Sequence, residues 1–453
     1  MENRINVMAG DRAPCQRNAS GRMTGGLLAG LTVFLAALTA SAATPDWPHW
    51  RGPSVTGYSA DAKPPLRWSE SEGIKWKVKI PGYGHSSPVV WRDRVYLQTA
   101  VPVDPNGDGG PLRYELLALD RTTGAFAWRK TACEEPPHEG HHADASYASS
   151  SPLIDGEHII ASFGSRGIFV FTMGGELVWS KDLGDMRTRR GFGEGASPAV
   201  HGETIVINWD HEGESFIVAL DKKTGGERWR RTRDEKTTWA TPLIIPYVEA
   251  NGTPAEPARM QVIVPATNHV VSYDLSSGKT IWKCRGLGVN CIPTPVAYKD
   301  LVIVMSGYRD PALLAIRHAG ASGDISGSDS IVWKLDGGTS YVPSPVLVNE
   351  NLYFLDRSSP RLSCHDVRSG TSHFKRESLE DLIGIYGSPV AADGRIYLFD
   401  RGGRSLVLQD GKTLKILAKN ELAEGCASSP ALAGDAIFVR GYSHLYCISK
   451  MAP

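Results

Sequence analysis

The sequence predicts an all-β fold: an eight-bladed β-propeller of four-stranded antiparallel blades, with the ring closed by an N-terminal strand. Three observations predict it. A Ser-Pro or Thr-Pro pair opens a short apolar strand eight times, at Ser87-Pro88, Ser151-Pro152, Ser197-Pro198, Thr241-Pro242, Thr294-Pro295, Ser344-Pro345, Ser388-Pro389 and Ser429-Pro430. Successive prolines lie between 41 residues (Pro389 to Pro430) and 64 residues (Pro88 to Pro152) apart, and a period in the forties is that of a propeller blade. An aromatic recurs four residues after a turn glycine, as Trp128, Trp179, Trp229 and Trp282 follow Gly124, Gly175, Gly225 and Gly278.

Within one repeat the strands alternate apolar and polar residues between glycine-bearing turns, the mark of antiparallel pairing. Ser197 to Val200 opens the third repeat, Thr204 to Asn208 returns, Ser215 to Asp221 forms the third strand, and Glu227-Arg228-Trp229 the fourth. Proline at a strand start costs least, because its missing N–H falls outside the ladder. The recurring tryptophans suit packing between adjacent blades, where a large ring fills the widening outer gap. Trp333 and Phe374 continue the series, while the strand near Leu414 to Leu417 lacks the aromatic.

The two ends complete one another. Ile74 to Val78 reads as a fourth strand without its first three, and Ser429 to Ser449 as three strands without a fourth. Pairing them removes both free edges. The expected domains are a signal peptide at 1–42, a Trp/Pro-rich leader packing on the propeller at 43–73, and the propeller at 74–453. Arg17 and Arg22, the apolar run Leu27 to Leu38 and Ala40-Ser41-Ala42 make the signal, with cleavage near Ala42 and a start at either Met1 or Met8. A cleavable signal peptide of this kind predicts a periplasmic or secreted protein with no membrane span after cleavage.

With 49 basic and 49 acidic residues, the chain offers no electrostatic case for nucleic acid. After the signal, six cysteines remain, and export permits disulfides. Cys284 and Cys291 are a candidate pair, with Cys133 and Cys426 open; Cys364 and Cys447 fall in apolar strands and suit burial.

The segments Leu119-Asp120-Arg121-Thr122-Thr123-Gly124-Ala125-Phe126-Ala127-Trp128, Leu220 to Trp229 and Tyr273 to Trp282 resemble the repeat of PQQ-like (pyrroloquinoline quinone repeat) propellers, over roughly residues 74 to 450. The leader Trp47-Pro48-His49-Trp50-Arg51-Gly52-Pro53 looks like the opening of exported members of that group. The resemblance implies two kinds of function: quinone-dependent alcohol or sugar dehydrogenases, and cofactor-free propellers of the outer-membrane-assembly type. The chain has no adjacent cysteine pair and no Cys-x-x-Cys-His haem motif, so the cofactor-free kind is the closer match.

Blade-to-blade links and the turns between second and third strands share one face, and there the loops exceed what closure needs. Seven residues are expected to meet at its channel mouth: His85, Tyr147, Trp239, Asn290, Tyr341, Tyr386 and Arg401. An aromatic, arginine-lined funnel suits a planar anion, a sugar or an extended peptide; a polar channel holding only water is the plain alternative. The densest chemical cluster, His138-Glu139-Gly140-His141-His142-Ala143-Asp144, makes His138, His141 and His142 candidate ligands for zinc or copper, at a spacing that matches no closed structural site. No catalytic residue is assigned. The reading is a monomeric, exported binding or scaffold protein without a cofactor, meeting a protein partner or extracellular ligand at the loop face. The alternative is a periplasmic PQQ-dependent oxidoreductase holding the quinone with calcium.

Overall fold

A computed structural model describes residues 46–105 and 109–449. The expected signal peptide and its cleavage site lie outside the described residues. Eight antiparallel sheets form the ring. Blade 1 is built of Val89–Trp91, Arg94–Pro102, Leu112–Asp120 and Phe126–Glu135. The innermost strands of blades 2 to 8 are Leu153–Ile154, Ala199–His201, Leu243–Pro246, Val296–Tyr298, Val346–Val348, Val390–Ala392 and Ala431–Ala433. Ile74–Lys79 closes the ring as the outermost strand of blade 8, antiparallel to His444–Ser449, with Trp76 opposite Cys447 and Val78 opposite Leu445.

The Ser/Thr-Pro repeat has a direct physical reason. The N–H of Ser87 donates to Ser151 Oγ at 2.9 Å and that of Ser151 to Ser197 Oγ at 3.0 Å. The same step joins Thr241 to Thr294, Thr294 to Ser344, Ser344 to Ser388 and Ser388 to Ser429. Ser429 N–H then donates to Ser87 Oγ at 3.0 Å, across the chain's closure. These N–H groups are buried around the axis and need acceptors; in seven blades the hydroxyl serves the blade before it, while that of Thr241 accepts from Trp50. The proline that follows has no N–H to satisfy.

The outer repeat is explained as directly. Trp76, Trp179, Trp229 and Trp333 each donate their indole N–H to a backbone carbonyl of the next blade, those of Arg121, Lys222, Leu275 and Val367, at 2.7–3.1 Å. Each ring lies on the next blade's turn glycine: a Cβ at Gly124, Gly225, Gly278 or Gly370 would stand 2.5–2.8 Å from ring atoms. The turn before that glycine is tied by an aspartate, as Asp120 Oδ1 and Asp221 Oδ1 accept from the N–H groups two and three positions on, at 2.9–3.1 Å. The tryptophans therefore pack between blades, as the spacing predicts.

The long turns at 246–260 and 317–330 meet one another. Gly320 N–H donates to Val248 O, and Gly323–Asp324 adds a parallel fifth strand to blade 4 beside Trp282 and Lys283. The expected Cys284–Cys291 bridge is not formed. All six described cysteines are free; the Cys284 thiol points to Arg285 O and the Cys291 thiol to Gly288 O. Cys364 and Cys447 are buried in their strands.

The leader threads the central channel. Trp47 pairs with Val90 of blade 1, and Pro48 O accepts from Ile154 N–H of blade 2. Trp50 Nε1 donates to Thr241 Oγ1 of blade 4, and Arg51 reaches Pro345 O and Pro389 O in blades 6 and 7. Tyr58–Ser59 then runs parallel to the innermost strand of blade 7. Arg51 is fully buried and spends its guanidinium on carbonyls. Gly57, at φ 81°, leaves room for it, since a Cβ there would meet Arg51 Nη2 at 2.3 Å. The channel is thereby blind rather than open through the disc. Trp68 finally stacks on Phe399 of blade 7 before the chain enters blade 8.

Candidate functional site

Above this plug the loop face holds a cavity of about 400 Å³. Its depth is set by Trp50 and by belt residues Ser87, Ser151, Ser197, Thr241, Ser388 and Ser429. Its walls come from links and turns of many blades, because each blade places the same topological position next to the axis. Four of the seven residues singled out in the sequence line it together: His85, Trp239, Tyr341 and Tyr386.

Link-to-link bonds hold these walls. Trp239 N–H donates to Cys291 O at 2.9 Å and its indole to Gly193 O at 2.7 Å. Tyr341 stacks on Tyr308 with centroids 5.1 Å apart. His85 N–H is held by Ser146 Oγ, and its Nε2 contacts the Tyr83 hydroxyl at 2.8 Å. Tyr386 donates its hydroxyl to Asp144 Oδ2 at 2.9 Å. Arg401 stands behind that pair rather than on the wall: it is bonded to Asp144 Oδ1, and its guanidinium lies 4.4 Å from the Tyr386 ring.

Two expected residues lie elsewhere. Tyr147 faces a smaller neighbouring chamber and meets the His141 ring edge-on at 4.5 Å. Asn290 is buried behind Tyr341, 3.5 Å from its hydroxyl, in a left-handed conformation at φ 60°. The three histidines also separate. His141 Nδ1 contacts His142 O, and His142 turns to the large cavity with its ring edge-on to Phe192. His138 joins Glu139 and Glu194 instead.

The funnel is aromatic but not arginine-lined, which corrects the expectation. Arg440 is buried and bonded to Gln98 O, Ser86 O and Thr99 Oγ1; Arg166 is paired with Glu135 and Asp185. Among the described lining residues there is no Lys or Arg. Burial, with the charges of Arg440, His141 and Arg401, pushes the His85 imidazole down to about 4, so it is neutral at pH 7. Burial works to raise the Asp144 carboxyl, but the Tyr386 hydroxyl and the Arg401 charge outweigh it and hold it below the usual range. Burial, then Asp144, lifts the Tyr386 phenol to about 12. The cavity presents aromatic faces, hydroxyls, the His142 and Glu194 side chains and the Asp144 carboxylate, which is paired with Arg401. No Ser–His bond forms among its lining residues, and no nucleophile–base pair is assembled.

Sequence reasoning missed Trp50, Phe192 and Tyr308 as wall residues, and the role of Asp144. Trp50 carried a signal, the leader motif, without a position. Asp144 lay inside the His-rich cluster and was grouped with it as metal chemistry.

Fold and site together define the class, a closed propeller with a blind cavity on its loop face. A family profile described as outer membrane protein assembly factor BamB matches residues 58–283 and 170–400, more than half of the chain. The chain belongs to that family of PQQ-like repeat propellers. Among solved structures it is similar to a europium-containing methanol dehydrogenase, at 11% identity over 88% of this chain and 90% of the other, with TM-score 0.62. It is also similar to the quinohemoprotein alcohol dehydrogenase from Comamonas testosteroni, at 12% identity over 92% and 82%, with TM-score 0.61. A computationally designed protein, Ika8, gives 11% identity over 84% and 100%, with TM-score 0.58. At such identities the likeness is one of fold. No curated protein matches the chain by sequence.

Proposed function

We propose that the chain is an exported binding protein that takes a small, neutral, polyhydroxylated ligand of the sugar class into the blind cavity on its loop face. One observation carries this reading: the cavity combines aromatic faces (Trp50, Trp239, Tyr341, Tyr386) with a hydroxyl belt below, and the Asp144 carboxylate on its wall is neutralised by Arg401 behind it. Aromatic faces take the apolar side of a sugar ring, and polar groups around them take its hydroxyls. A planar anion finds no free cation here.

Export is supported by the family's outer-membrane description, and among the described residues no helix is long and apolar enough to cross a membrane. The loop rim, where Tyr83 and Ile383 are exposed, is the surface a protein partner would meet.

The quinone alternative turns on the donor set. Pyrroloquinoline quinone carries three carboxylates, whereas Asp144 and Glu194 line the cavity, no Lys or Arg is among its described lining residues, and the neighbouring Arg401 is already spent on Asp144. Those residues do not fit that group, and no reaction step is derived through it. Titration of the protein with neutral mono- and disaccharides (glucose, mannose, galactose, maltose, cellobiose), read by tryptophan fluorescence, tests the binding reading, because Trp50 and Trp239 both line the cavity. A parallel incubation with PQQ and calcium is expected to give no retained chromophore and no dye reduction. Retention with dye reduction overturns the binding reading in favour of the oxidoreductase.

A further inference from the structure

Beside the large cavity lies a second, smaller chamber of about 40 Å³. Two independent observations mark it. The first is its donor set: one nitrogen of His138 and one carboxylate oxygen each of Glu139 and Glu194 lie within 4.8 Å of one another. The second is a pair of orphaned polar atoms. Ser150 Oγ and Asn208 Oδ1 belong to lining residues only 5% and 3% exposed, and neither atom has a hydrogen-bond partner. Buried polar atoms of this kind call for a partner, and the chamber has room for a small ion with water.

The loops are shaped to keep the carboxylates there. Glu194 accepts from Ser165 N–H at 2.6 Å and from the Ser165 hydroxyl. Gly164 permits that approach, since a Cβ at its position would stand 1.5 Å from Glu194 Oε2. Glu139 accepts from Thr188 N–H at 3.2 Å and from the Thr188 hydroxyl. His138 Nε2 stands 2.6 Å from Met186 O and 3.5 Å from Glu194 Oε1. The charge is not balanced by protein cations. Arg166, the cation among the described lining residues, gives its two terminal nitrogens to Glu135 and Asp185, each at 2.6 Å.

We propose that His138, Glu139 and Glu194 form a binding site for one first-row divalent cation of the zinc type, which replaces the proton that His138 Nε2 shares with the Met186 carbonyl. An imidazole with carboxylates selects zinc or its neighbours over calcium, which takes oxygen alone. Asn208 Oδ1 and Ser150 Oγ accept from and donate to the water that completes the shell. The ion joins the 138–139 link directly to Glu194, at the flank of the sugar-class cavity. Glu194 lines both chambers, and the ion is assayed without any saccharide present.

The test uses the full chain, stripped with chelator and dialysed against zinc chloride. One ion per chain is expected, with binding weakened about tenfold or more in His138→Gln and in Glu194→Gln, and unchanged in His141→Ala. Cobalt(II) is expected to give a visible ligand-field band in the wild type that His138→Gln loses, a readout a merely structural role does not produce. Zinc is expected to raise the wild-type melting midpoint, which keeps the site testable if a variant folds poorly. Absence of a stoichiometric ion at micromolar zinc in the wild type, or unchanged affinity in both variants, overturns the proposal.

Discussion

The outer body of the ring and its loop face are built by opposite rules. In the body, one interaction is repeated: a tryptophan lies on the next blade's turn glycine and donates to its backbone, as Trp229 does with Gly278 and Leu275. At the loop face nothing repeats. Trp239, Tyr341, Tyr386 and His85 occupy corresponding links, yet each has a different partner and a different environment. Repetition serves neighbour-to-neighbour stability, as in any array whose units touch only their neighbours; divergence at one fixed topological position makes a site. Two tryptophans ten positions apart, Trp229 and Trp239, thus have different duties.

The largest effect is expected at the ring's closure. Removing residues 43–80 deletes the strand Ile74–Lys79 together with the channel plug, exposing the edge of His444–Ser449. Aggregation on size-exclusion chromatography is expected; a monomer with unchanged melting contradicts the role assigned to that strand. Next in size, Trp229→Ala is expected to cost roughly 3–5 kcal/mol in denaturant unfolding, because the ring is buried between blades 3 and 4. A loss below about 1 kcal/mol would remove the docking argument.

A smaller effect is expected from Glu235, which links the two regions. Its carboxylate accepts from Asn268 and His269 N–H at 2.8 Å, beside the buried Arg233–Asp210 pair and within 3.7 Å of His269 Nδ1. Burial raises its pKa to about 7, against the lowering by its backbone donors and Arg233. The folded state therefore holds the proton more tightly than the unfolded chain. The contribution is full below the unfolded value near 4.5 and is lost as pH rises through about 7. Glu235→Gln is expected to flatten the decline of the melting midpoint between pH 4.5 and 7, an effect on the order of 1–3 kcal/mol. An identical pH profile in the variant contradicts the assignment.

What was legible in the sequence follows the same division. The blade count and the closure of Val78 on the C-terminal strands were readable because each repeat states its own local pattern, and the ends complement one another. The Ser/Thr of the repeat was visible but its hydroxyl belt was not, since the acceptor always lies one blade away. The plug was invisible: Trp50 meets Thr241 across 191 positions and Arg51 meets Pro389 across 338, and no periodicity records such contacts. Four wall residues were found from topology alone. The arginine lining was misjudged because sequence shows which loop carries Arg401 or Arg440 but not which carboxylate or carbonyl consumes it. Asp144, 257 positions from Arg401, is the clearest case.

The central claim is that the loop-face cavity binds a sugar-class ligand through residues the repeat does not need. Isothermal titration of wild type, Trp229→Ala and Trp239→Ala with the saccharide that quenches wild-type fluorescence most, alongside thermal melting of all three, tests it most directly. The account predicts saturable one-to-one binding by the wild type, loss of that binding in Trp239→Ala with a midpoint close to wild type, and retained binding in a folded but less stable Trp229→Ala. No saccharide bound by the wild type, or undiminished binding by Trp239→Ala, contradicts it.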